Sequence, residues 1–137
     1  VLTVLGVLAA VVGPEMARLT PTGADRTVRD LLAAAGRARD LAGARGEPVT
    51  IAIETRSGAF LIFAGAGPRT GEAPLAEGAI RLPDGVHLEA PTAAPWAFFR
   101  FDGLGRARGD RLIVSDYSLH REIAADAWTA SLVATTR

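Results

Sequence analysis

Four arginines around one short segment are the residues best suited to binding something. They are Arg106 and Arg108 in Gly105-Arg106-Ala107-Arg108, with Arg100 before them and Arg111 after them. Guanidinium groups that converge on one loop attract phosphate, so Arg100, Arg106, Arg108 and Arg111 are the candidate DNA or phosphate contacts. Asp102, Asp110 and Asp116 interleave with them and should cancel much of that field, so a solvated hairpin tip is the simpler expectation. The other chemistry-bearing residues carry less. Ser115, Asp116 and His120 are the residue types of a hydrolytic triad, but no nucleophile-elbow sequence or oxyanion-type turn accompanies them. His87 and His120 are the only histidines, and neither has a carboxylate at ligand spacing. His87 alternates with Val86 and Leu88 and is expected on the solvent side of a strand. Gly65-Ala66-Gly67-Pro68-Arg69-Thr70-Gly71 has the glycines of a phosphate loop without its lysine or a following helix, and reads as a connector. Trp96, Phe98, Phe99, Phe101 and Trp128 read as packing residues on strands covered from both sides, rather than as a platform for bases. No catalytic residue, metal or cofactor is expected.

The totals agree with a small structural domain. A chain of 137 residues has room for one core, and 49% hydrophobic content is too apolar for a disordered chain. Fifteen basic residues, all arginine, balance fifteen acidic ones, which argues against a large field for collecting polyanions. Cysteine is absent, which excludes disulfides and thiolate chemistry.

Three regions must position these residues. Val1 to Gly13 is an apolar run, and Gly13-Pro14 should bend or loosen a helix there. Thirteen helical residues cover roughly 20 Å, short of the ~30 Å hydrocarbon core, so the run reads as the second half of a membrane span or as a buried helix. From Asp25 to Gly46, Val28, Leu31, Leu32, Ala35, Ala38 and Ala42 recur at helical spacing. Thr22 or Asp25 can cap the start and Gly46 the end. The stripe is mostly alanine, so its partner must come close, as a flat sheet would. From Val49 the period changes to two. Strands are expected at 49–55, 59–64, 79–82, 86–89, 96–101, 111–117, 119–125 and 128–135, with 65–78 as a surface loop. One helix followed by about eight short strands predicts an α+β domain.

That order of elements resembles the pilin architecture. Val1 to Pro14 is similar to the later part of a type IV pilin-like N-terminal helix, including its proline; the family's peptidase site and its glutamate would precede Val1. Leu82-Pro83-Asp84-Gly85-Val86-His87-Leu88 resembles the Leu-Pro-x-Gly-Val-x-Leu strand pair of the H-type pseudopilins of type II secretion and their type IV pilus relatives. Phe99 to Gly109 resembles their next landmark, a phenylalanine-led strand entering an Asp-Gly turn and a small-residue loop. Ala127-Trp128-Thr129-Ala130 departs from the pattern, standing where relatives often have a Thr-Gly turn.

The resemblance implies a long N-terminal helix on an antiparallel β-rich domain, with two small sheets. It implies residues 1–24 as the membrane and filament-core segment and 25–137 as the periplasmic domain of a single-pass inner-membrane protein. Val1, Leu2, Val4, Leu5, Val7, Leu8, Val11, Val12 and Pro14 would pack against the helices of neighbouring subunits. The implied partners are other minor and major pseudopilins, and the implied role is structural, at the tip of a pseudopilus that supports protein export. The rival within the family is a type IV pilus minor pilin. Some of these bind DNA through an arginine pair similar to Arg106 and Arg108, although theirs lies toward the C-terminus. Outside the family, the rival is an unrelated membrane-anchored periplasmic β-domain that binds a ligand or partner.

Overall fold

The computed structural model describes residues 22–67, 72–91, 93–117, 119–126 and 129–136. Val1 to Pro14, the segment expected to pack in the filament core, lies outside the described residues, as does Trp128.

The helix α1 spans Gly23–Arg45. It starts two residues before the expected Asp25, because Thr22 and Asp25 act together in a capping box: the Thr22 hydroxyl accepts from the Asp25 N–H at 3.2 Å, and the Asp25 carboxylate accepts from the Thr22 N–H at 3.3 Å. Gly46 ends it in the left-handed region at φ 63°, where a side chain would be strained. The buried face is mainly alanine, with Val28 and Leu31 at its first half, so the sheets approach the helix backbone closely. Leu32 is only half-buried.

Among the described residues nine strands follow: β1 Val49–Glu54, β2 Ala59–Ala64, β3 Ala76–Ala79, β4 His87–Glu89, β5 Trp96–Phe101, β6 Ala107–Gly109, β7 Leu112–Ser115, β8 His120–Ala125 and β9 Leu132–Thr136. All pairings are antiparallel. They form a five-stranded sheet in the order β3-β2-β1-β5-β6 and a four-stranded sheet in the order β4-β7-β8-β9. This is the predicted α+β architecture of one helix on two antiparallel sheets.

Three elements differ from the sequence expectation. β9 begins at Leu132 rather than at 128, because Thr129, Ala130 and Ser131 belong to the turn before it, where the Asp126 N–H donates to the Ser131 carbonyl at 2.8 Å. β3 lies at Ala76–Ala79, inside the expected loop, rather than at 79–82. It pairs there because Gly78 has no side chain and the Phe60 ring occupies that space, 2.5 Å from where a Cβ would stand. β6 was expected as part of a loop. It forms because the turn at Asp102 returns the chain alongside β5, and the Ala107 N–H donates to the Ala130 carbonyl at 2.6 Å, tying the two sheets together.

Helix α1 packs against β1 and β5 of the first sheet and β7, β8 and β9 of the second. Val49, Ile51, Ile53, Ile62 and Phe99 face it from the first sheet, and Leu112, Val114 and Ile123 from the second, in one continuous core. Each is at most 2% exposed, so each contributes close to the full hydrophobic stabilisation of its side chain. An Arg121–Asp25 ion pair at 3.4 Å links β8 to the first turn of α1, but its partial exposure makes it worth little.

Candidate functional site

The β5–β6 hairpin assembles the arginine cluster. Asp102 organises its turn: one carboxylate oxygen accepts from the Leu104 and Arg106 N–H groups, both at 2.9 Å. The other lies 3.2 Å from Arg106 Nε. The Arg106 N–H, followed by the Leu104 N–H and the Arg106 charge, holds the Asp102 carboxyl below its ordinary value, and burial only partly opposes them. Gly105, at φ +81°, turns the chain where a Cβ would come 2.9 Å from Arg39 Nε, so this loop is fitted against α1.

Past the turn, the register sets Arg100 opposite Arg108. Directly opposed residues project from the same face, so two guanidinium groups stand side by side, both exposed. Arg100, Asp102, Arg106 and Arg108 line one open cleft of about 230 Å³. Arg106 is already engaged by Asp102. No carboxylate pairs with Arg100 or Arg108 among the described residues. Arg111 does not join the cluster: its Nε lies 3.6 Å from Glu122 on β8, on the other sheet. The structure thus brings three of the four arginines together. The two exposed guanidinium groups of this cleft can attract an anionic group.

The remaining candidates are dispersed. Ser115 and His120 are cross-strand partners on β7 and β8, and the Asp116 carboxylate accepts from the Leu119 N–H at 2.8 Å within the same hairpin. His87 faces solvent from β4, on the same face as Ser115. Among the described residues, no three His, Cys, Asp or Glu side chains are grouped to hold a metal. No described helix is long and apolar enough to cross a membrane.

The aromatic residues of β5 correct one expectation. Phe99 and Phe101 are buried against α1, but the other face is not fully covered: Phe98 is 39% exposed and Trp96 half-buried. The alternation Trp96-Phe98-Arg100 carried this signal, since residues two apart share a face.

A helix capped at Thr22, laid across two antiparallel sheets in this order, is the pilin-like fold. Two solved proteins share it. The type IV minor pilin FimU of Pseudomonas aeruginosa superposes with a TM-score of 0.56 at 11% identity, over 81% of this chain and 85% of that one. The minor pseudopilin EpsH from the Type 2 Secretion System of Vibrio cholerae gives a TM-score of 0.56 at 11% identity, over 84% of this chain and 98% of that one. No family model matches the sequence, and no curated protein matches it significantly.

Proposed function

We propose that this chain is a structural minor pseudopilin of a type II secretion system, placed in the pseudopilus tip that supports protein export across the outer membrane. The observation that carries this reading is the fold, which corresponds to nearly the whole of EpsH. The ordered motifs Leu82–Leu88 and Phe99–Gly109 add to it, the first entering β4 and the second spanning the β5–β6 hairpin. In this reading residues 1–24 are the membrane and filament-core segment. Val1, Leu2, Val4, Leu5, Val7, Leu8, Val11, Val12 and Pro14 pack in the bilayer or the filament, and residues 25–137 form the periplasmic domain. Its partners are the other minor and major pseudopilins, and its role is non-catalytic.

The test replaces Leu8 by Asp in the secreting organism. A charge at mid-bilayer disfavours insertion by at least about 2.5 kcal/mol, so membrane retention and secretion are expected to fail while the soluble domain keeps its fold. Normal secretion by Leu8→Asp would overturn the reading.

A second reading, a type IV pilus minor pilin that binds DNA, is favoured by one observation: Arg100, Arg106 and Arg108 share a cleft. Binding of the chain to DNA that weakens with salt and is lost in Arg106→Ala/Arg108→Ala would select it over the first.

A further inference from the structure

The outer face of the five-stranded sheet, turned away from α1, has an ordered pattern of charge. Strand register arranges it in rows about 7 Å apart, two residues along each strand. One row runs Phe63, Thr50, Arg100, Arg108. The next runs Glu77, Leu61, Ala52, Phe98. In the third, Glu54 stands beside Trp96. Phe63, Thr50 and Ala52 are buried along this face, the Thr50 hydroxyl donating to the Gly65 carbonyl at 2.7 Å, while Phe98 stands out 39% exposed.

The charges lie at the margins. Arg100 and Arg108 stand together at one corner, and like charges directly opposed across a strand pair are destabilising. Asp102 cannot relieve them, because its carboxylate already serves two N–H groups and Arg106. Glu77 is on the far edge strand and Glu54 two rows away, and neither has an ion-pair partner among the described residues. Asp110 stands at the edge of this corner, its carboxylate accepting from the Phe98 N–H at 2.9 Å, and forms no ion pair with Arg100 or Arg108. The face is therefore mainly cationic at one corner, apolar in the middle and acidic beyond.

We infer that this face docks a second pilin-like subunit, whose surface places a carboxylate at Arg100 and Arg108, apolar side chains over Phe98 and Leu61, and a basic group toward Glu77 or Glu54. The inference rests on the pilin-like reading above and adds to it the surface and the complementary chemistry. Complementary charge favours a protein over a polyanion. A nucleic acid strand leaving the arginine pair along Phe98 and Trp96 would carry its next phosphates toward Glu54. A protein can vary the sign of its charge across the same distance.

The test is quantitative co-purification of the full chain with each of the other pilin-like subunits of the same system. The variants are Phe98→Ser, Arg100→Glu/Arg108→Glu, and Thr135→Glu on the outer face of the other sheet, each checked for an unchanged circular dichroism spectrum. The wild type is expected to retain at least one subunit. Both variants of the proposed face should weaken that binding by at least about tenfold, while Thr135→Glu leaves it unchanged. Equal binding by all variants overturns the docking face and leaves the pilin-like reading standing. A wild type that binds none of the subunits overturns both. Binding of a labelled single-stranded oligonucleotide that is lost in Arg100→Glu/Arg108→Glu, with subunit binding intact, reassigns the face to nucleic acid.

Discussion

The central strand of the first sheet and the last strand of the second show how unevenly this fold is anchored. Along β1, Val49 to Ile53 are all at most 3% exposed, with β2 and β5 on either side and α1 across one face. Along β9, no residue is buried: Leu132, Val133 and Ala134 are half-covered and Thr135 and Thr136 exposed, with β8 as the one paired neighbour. Both strands touch the same helix. The difference teaches that contact with α1 is not enough for burial. With neighbours on both edges β1 is closed along its whole length, whereas on single-edged strands only isolated side chains such as Leu88 and Ala107 are buried, and local stability should follow that closure.

The strongest way to break this comparison is to remove mass from the closed region. Phe99→Ala, opposite Ile51 and 1% exposed, should cost about 3–5 kcal/mol and leave little folded protein in a urea titration. Leu132→Ala on β9 should cost clearly less, about 1–2 kcal/mol, because part of its surface is already in water. If the two losses are equal, the contrast between closed and open strands is wrong. Thr22→Ala acts on the helix that both sheets share. Loss of its capping box should lower stability by about 1 kcal/mol, read as a shift of the urea midpoint at constant slope. Hydrogen exchange sharpens the point without mutation, since β9 amides are expected to exchange well before those of β1.

The smallest effect concerns Asp102, whose pKa is lowered from 3.8 in the folded chain. A carboxyl with a depressed folded pKa stabilises above its unfolded value, and the contribution disappears as pH falls through the folded value. Asp102→Asn keeps an oxygen acceptor for the turn and removes the charge. Its thermal midpoint should therefore lie slightly below wild type near neutral pH, and the gap should close in acid below the folded pKa of Asp102. A gap that persists unchanged in acid would show that shape, not charge, holds this turn.

The cluster on the β5–β6 hairpin was legible in part. Four arginines near one loop are visible in the chain, and so is the Asp-Gly turn that gathers them. That Arg111 leaves the cluster for Glu122 was not, because Glu122 reaches it only when β8 pairs with β7. Nor was the side-by-side placing of Arg100 and Arg108, which depends on a register set by the tight turn at Asp102. The half-open position of Phe98 had a local signal in the alternation Trp96-Phe98-Arg100, but how far that face is covered depends on the layers packed around it.

By itself the sequence determined the elements whose signals are local. The capping box and Gly46 bound the helix, its alanine stripe calls for a close-lying sheet, and the alternation from Val49 with the turn at Arg56-Ser57-Gly58 sets the first hairpin. The order of helix and then strands was enough for the fold class. Tertiary structure alone decided β3 and β6, since Ala76-Glu77-Gly78-Ala79 and Ala107-Arg108-Gly109 have little strand preference of their own. The first is held where the Phe60 ring covers Gly78, and the second by a hydrogen bond from Ala107 to Ala130 across the two sheets. Both depend on residues distant in the chain, and a contact of that kind has no local pattern from which it can be read.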